Sequence, residues 1–282
     1  MKKIVSSMFA IEFLLFSWAT LVFSQTDQTQ LHKTHEWGAG IEISHITYEE
    51  PDIMEQKGIM YGLVGSYTYR PKTTIASEKG EGWIIKAEGR SCYGQVDYTG
   101  SGTMDDIDDY LIELRGLGGY DFPVTQMFTV IPYVGLGYRY LNDDSSGRVS
   151  STGASGYMRE SNYFYSPIGV EAVNNFRNGW SIGLVAEYDL FLWGQQKSYL
   201  SDVYLGLNDV ENDQLDRYGL IGSIKLMKKN ENLNFILEPF ITYWDIETSE
   251  IAAVTYYGTI IGYAWEPSNN STEFGCKLIV EF

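Results

Sequence analysis

Period-two alternation, repeated along nearly the whole chain, is the feature that most limits what this sequence can become. In its last stretch, Phe274, Cys276, Leu278, Val280 and Phe282 fall on one face, and Glu273, Gly275, Lys277, Ile279 and Glu281 on the other. That spacing belongs to a strand with one apolar and one mostly polar side. The pattern recurs near 36–48, 58–70, 82–95, 109–121, 128–141, 161–174, 180–192, 216–228 and 233–246. With the last strand these make about ten, and the alternatives are eight or twelve, since bacterial barrels prefer even numbers.

The start of the chain supplies the compartment. Lys2 and Lys3 precede an apolar run from Ile4 to Phe23, and Val22-Phe-Ser24 offers the residues a signal peptidase reads. Residues 1–24 are therefore expected to be a signal peptide and 25–34 a polar leader. No second long apolar run follows, which excludes further membrane helices. An exported chain of alternating strands points instead to a barrel over residues 35–282: all-β, antiparallel, up-and-down, and set in the bacterial outer membrane. The net charge of −17 disfavours nucleic acid as a partner. Outer-membrane lipid and lipopolysaccharide are the expected surroundings. Cys92 falls on a polar face and Cys276 on an apolar one, so their sulfurs are expected on opposite sides of the wall, unbridged.

Turn lengths and aromatic positions orient such a barrel. The connections at 121–127, 175–179 and 229–231 are short, whereas those at 49–57, 96–108, 142–160, 196–215 and 247–271 read as long loops. Short periplasmic turns and long outer loops put both chain ends in the periplasm. The stretch from Pro71 to Glu81 is longer than that scheme wants. Trp37, Trp83, Phe128, Trp180, Phe235, Tyr69, Tyr120 and Phe282 form a girdle at one level. From Trp83 to Tyr93, steps of about 3.3 Å tilted by about 40° rise roughly 25 Å, the height of an apolar membrane band. Pro132, Pro167 and Pro239 oppose the scheme: each costs a ladder bond inside a strand unless a bulge or strand end sits there, so the register around them stays open.

Ile131-Pro-Tyr-Val-Gly-Leu-Gly-Tyr138 resembles a strand of small outer-membrane β-barrel proteins, and so does the segment from Trp265 to the terminal Phe. The resemblance is to OmpA-transmembrane-like or porin-family-like barrels. It implies a barrel without the peptidoglycan-binding domain that often follows the former. It also implies that Phe274, Leu278, Val280 and Phe282 form the signal through which the barrel-assembly machinery engages the chain.

The polar faces carry both signs in near balance: Glu42, Lys86, Glu88, Arg90, Glu113, Arg115, Arg139, Glu171, Glu187, Asp189, Arg217, Lys225, Glu238, Glu273 and Lys277. Such balance suggests a charge network filling a narrow lumen, and hence a structural or surface-interaction role. The alternative is a narrow, cation-preferring, porin-like diffusion channel. The loops are acidic, with Glu49, Glu50, Asp52 and Glu55, then Asp105, Asp106, Asp108 and Asp109, then Asp202, Asp209, Glu211 and Asp213. Carboxylates could hold divalent cations, and Asn142-Asp-Asp-Ser-Ser-Gly147 faintly resembles a calcium loop, but Gly153 stands where a bidentate Glu belongs. No metal site and no cofactor is therefore expected. An outer-membrane enzyme is the remote alternative. The only histidines are His32, His35 and His45, and none sits where an omptin-like Asp–His pair needs one; no catalytic residue is assigned.

Overall fold

The computed structural model describes residues 33–71, 81–214, 217–230 and 233–282. The stretch expected to be a signal peptide and most of the expected polar leader lie outside these residues, as does nearly all of the connection from Pro71 to Glu81. Thirteen strands run in order: β1 His35–Glu50, β2 Met54–Tyr69, β3 Gly82–Thr99, β4 Thr103–Pro123, β5 Phe128–Asp144, β6 Met158–Asn175, β7 Trp180–Ser198, β8 Val210–Gln214, β9 Arg217–Lys229, β10 Asn234–Ile246, β11 Ala252–Tyr256, β12 Thr259–Ala264 and β13 Asn269–Glu281. Ten of them, β1 to β7 with β9, β10 and β13, pair in sequence and close on themselves through β1 and β13. The result is an antiparallel ten-stranded barrel.

Closure is complete at the seam. Trp37 N–H donates to the Phe282 carbonyl at 3.1 Å and Phe282 N–H returns the bond to Trp37 at 2.9 Å. No ring edge is left for another chain to template on. Alternation then decides which side chains meet lipid. Ile41, Leu63, Trp83, Leu136, Leu184, Ile241, Phe274 and Leu278 all stand exposed on the outer wall. Glu42, Arg90, Glu113, Glu187 and Glu273 are buried on the inner one. Aromatic pairs band both ends, with Trp83 edge-on to Tyr120 at 5.3 Å near the termini and Tyr93 beside Tyr110 at 4.9 Å at the far end. His45 is half-buried and stacks on Phe274 at the outer wall. Cys92 is buried inside beside Glu42, while Cys276 lies in the outward set with Phe274 and Leu278, and both are free.

The near-end turns are tight. In the turn after β6, Phe176 N–H donates to the Trp180 carbonyl, and Gly179 adopts φ +77°, a conformation an L side chain would resist. Two of the five expected far-end loops are instead strand. β1 and β2 continue to a turn at residues 51–53, and β3 and β4 continue to one at 100–102. The acids that suggested a loop do not break these ladders, because the outer faces stand in water there and Lys57 lies opposite Asp97. The last connection also holds structure, the β11–β12 hairpin.

The prolines cause neither bulge nor strand end. The β4–β5 ladder lapses between Gly119↔Tyr133 and Phe122↔Val130, opposite Pro132, and resumes in the same register. The β5–β6 ladder does so between Val134↔Ile168 and Gly137↔Tyr165, and β9–β10 between Leu237↔Leu226 and Phe240↔Ser223. On its other neighbour each proline keeps its pairing, with Val170, Asp189 and Cys276 respectively. Beside Pro167, the Ser166 hydroxyl donates to the Gly135 carbonyl at 2.9 Å, replacing the lost amide. Register shifts do occur elsewhere: one lies in the β3–β4 ladder between Val96↔Ile107 and Tyr98↔Met104, and between Phe164↔Trp193 and Tyr165↔Phe191 a bulge at Leu192 sends both Leu192 and Trp193 outward.

Candidate functional site

The inner wall is layered, and each layer follows from which residue types fall at inward positions at one height. Nearest the chain ends is a cavity of about 140 Å³. Its walls include Lys86, Glu88, Arg115, Glu171, Lys225 and Glu238. Lys225 donates to Glu171 at 2.8 Å, Lys86 meets Glu88 at 2.6 Å, and the Ser223 hydroxyl donates to Glu238. Arg115 grips Glu187 through both terminal nitrogens at 2.9 and 2.8 Å, and Tyr133 donates to the same carboxylate at 2.7 Å.

Above it, Arg90 gathers carboxylates from three strands. Its Nε donates to Glu113 at 2.7 Å, Nη1 to Glu42 at 2.9 Å, and Nη2 to Glu273 at 2.9 Å. Ser44 donates to Glu273 and Tyr165 to Glu113, so the lone pairs that Arg90 leaves free are largely used. One guanidinium thereby ties β1, β4 and β13 to β3 across the lumen. Planar, five-donor geometry suits arginine to this and lysine would not substitute.

The third layer is apolar. Ile46, Met60, Cys92, Val96, Ile107 and Leu111 form one buried cluster, projecting from β1 to β4. Tyr163, Tyr165, Phe191, Trp244 and Ile246 form a second from β6, β7 and β10. Leu141 of β5 packs against both and joins them into a septum across the barrel. Trp244 and Tyr165 are almost wholly buried and meet edge-on at 5.1 Å. Arg139 and Arg217, expected in the charge network, make no ion pair among the described residues and stack here instead. Arg139 lies over Trp244 at 5.3 Å, and Arg217 lies over Tyr163 and Phe191 at 5.0 and 4.7 Å. Lys277 likewise faces Phe240 at 4.6 Å. Asp189 is fully buried, and neither of its oxygens meets a hydrogen-bond donor. Eleven of the fifteen expected residues take part in these pairings; Arg139, Arg217 and Lys277 depart because aromatic rings occupy the space where partners would stand, and Asp189 stands unpaired among the described residues.

A fourth layer, not expected from the sequence, caps the septum. Arg159 Nη1 donates to Glu50 at 2.9 Å, and Nη2 to Gln56 at 3.0 Å and to Asp143 at 3.2 Å. Glu266, from the last connection, lies 3.6 Å from Nη1, and the Tyr48 hydroxyl sits 3.1 Å from both Glu50 and Glu266. A second cavity of about 50 Å³ lies among these groups and shares no lining residue with the first. The faint calcium loop dissolves at this point, because Asp143 serves Arg159 and Gln56, while Asp144 accepts from Ser146 in a local turn. Among the described residues no group of three or more His, Cys, Asp or Glu is arranged to hold a metal ion. Phe274, Leu278 and Phe282 point outward along β13 and Val280 is half-buried in the same set.

Continuous apolar runs were the available signal for the septum. Tyr163-Phe-Tyr165, Leu190-Phe-Leu-Trp193 and Tyr243-Trp244 break the polar–apolar alternation, as strands do when both faces are covered. Arg159 carried no such mark, since it fell in a stretch read as loop.

The sequence model of the Autotransporter beta-domain family matches residues 33–220. No curated protein matches the chain in sequence. Among solved structures, the translocator domain of autotransporter NalP from Neisseria meningitidis aligns with 11% identity and a TM-score of 0.43, over 98% of this chain and 95% of that one. The outer membrane protein OprG from Pseudomonas aeruginosa aligns with 12% identity and a TM-score of 0.36, over 91% and 99%. The Pseudomonas putida toluene transporter TodX aligns with 10% identity and a TM-score of 0.36, over 90% of both chains.

Proposed function

The chain belongs to the autotransporter beta-domain family of outer-membrane barrels, and from that premise we propose that it is a sealed, non-conducting barrel with a structural and surface-interaction role. The septum carries this reading. Two buried clusters meet at Leu141 between two guanidinium-centred layers, and the cavities on either side share no wall. An ion crossing it would shed water among packed aliphatic and aromatic side chains, and a cation would also meet the guanidinium groups of Arg139 and Arg217 stacked there. A polypeptide has still less room. The barrel then serves as a rigid base that holds its far-end turns and loops outside the cell, where they meet lipopolysaccharide and external molecules. Three of those five connections, at 51–53, 199–214 and 247–268, carry acids, so their sign is part of what they present.

Planar-bilayer recording of the refolded protein tests the proposal. Silent insertion is expected for the wild type, and Trp244→Ala with Tyr165→Ala should introduce steady conductance, because both rings fill the septum. Cation-selective steps from the wild type would replace the sealed barrel with the narrow channel. In that case the acidic far end would concentrate cations, most strongly at low salt.

A further inference from the structure

The last connection contains a stretch, Ile251 to Trp265, with no charged residue in a chain of net charge −17. It folds into the β11–β12 hairpin, held rigidly rather than loosely. Asn208 accepts from Thr255 N–H and donates to the Ala253 carbonyl, Tyr257 N–H donates to the Gly206 carbonyl at 2.9 Å, and Asn212 donates to the Glu250 and Ala264 carbonyls. β11 is therefore backed by the β7–β8 connection. β12 is not backed by any described strand on its second edge. Ile260 and Ile261 sit at a bulge in the hairpin, opposite Val254 and Thr255, and both are exposed, at 57% and 60%. Tyr204, Leu205, Tyr257 and Tyr263 add to the same uncovered ledge. A scattered exposed leucine needs no explanation, but a contiguous apolar ledge beside an open strand edge does.

The rim says what covers it. Asp202, Asp209, Glu211, Asp213, Glu247 and Glu250 lie in the two connections that build the ledge, residues 199–214 and 247–271, which contain no Lys or Arg; of these acids Glu211 meets Lys197 of β7 at 3.2 Å. We infer that the ledge docks an extended, cationic polypeptide, which adds as a third strand along β12 and sets its basic side chains against the acidic rim. The inference rests on the sealed-barrel reading only in taking the far end as the outer one. An open edge asks for a ladder of backbone donors and acceptors, which an extended chain supplies. Tyrosine and carboxylate together favour cations. A second copy of this protein would bring the same acids face to face.

The test uses the full barrel in detergent and a peptide of about twelve residues alternating Lys and Val, so that all its charge lies on one side. Binding is followed by biolayer interferometry and by hydrogen exchange of residues 259–264. Three outcomes support the inference: saturable binding, protection of the β12 amides, and loss of about tenfold in affinity on raising salt into the molar range. The same peptide with alternate backbone amides methylated keeps its charge but cannot pair, and should not protect β12. Ile261→Lys with Tyr263→Lys should abolish binding, whereas Asp105→Asn with Asp106→Asn, near the start of β4, should leave it intact. Equal binding of the methylated peptide, or of a Glu–Val counterpart, overturns the inference. So does detergent-stable dimerisation lost in the Ile261→Lys, Tyr263→Lys variant, which would assign the ledge to a second copy. A silent or a conducting barrel leaves all these outcomes readable, so the two proposals fail separately.

Discussion

At the scale of single residues, the lumen shows why alternation alone reads position better than partnership. Arg90 was legible as an inward charge, and its three carboxylates were legible as inward too, but only the barrel's curvature brings Glu42, Glu113 and Glu273 to one guanidinium. Arg139 and Arg217 were equally legible as inward, and neither pairs, because Trp244, Tyr163 and Phe191 reach the space first. Period two carries no information about which side chain is longest at a given height. Removing Arg90 exposes the consequence of its pairing. Arg90→Ala strands three buried carboxylates together and should lower stability by about 3–5 kcal/mol, read from urea unfolding in bilayers. Adding Glu42→Gln, Glu113→Gln and Glu273→Gln should recover much of that loss, since the stranded charge is the larger part of it. Full stability in Arg90→Ala alone would mean that water or Arg139 satisfies the carboxylates.

At the scale of elements, the strands were legible where a membrane imposes one apolar face, and blurred where they leave it. β3 and β4 rise past Tyr93 and Tyr110 into water, where no apolar face is required, so their acids looked like loop. Charge marks exposure, not irregularity. The last connection shows the opposite case, a loop segment drawn into the barrel's mouth by Glu266. Burial lifts the Glu266 carboxyl above the ordinary carboxylate range; Arg159 draws it partly back and Glu50 lifts it again. A carboxyl raised on folding stabilises the fold in its protonated form. That contribution is complete below the unfolded value of about 4.3 and is lost as pH rises through the folded one. Residues 247–268 should therefore be better protected from hydrogen exchange, after correction for intrinsic rates, in mild acid than at neutral pH. Glu266→Gln, which imitates the protonated form, should keep the acid-level protection at neutral pH. An unchanged pH dependence in that variant would assign the effect to another group.

At the scale of the whole molecule, the ten-stranded count and the lipid-facing wall were legible because closure forces every strand to repeat one pattern, while the septum was not, because it obeys no repeat. Closure itself rests on backbone bonds between Trp37 and Phe282, which a change of side chain leaves in place. Phe282→Ala should accordingly refold in vitro to a barrel of wild-type heat stability, yet accumulate poorly in the outer membrane of cells. Normal accumulation would show that the assembly machinery does not read this ring. The proline gaps have a mechanical consequence. Among the described strands β5 is the one with a proline lapse on each side, toward β4 at Pro132 and toward β6 at Pro167. Load shared evenly around the other staves concentrates on its remaining bonds, so a lateral pull on this barrel tears it first along β5, far from the seam where the chain's two ends meet.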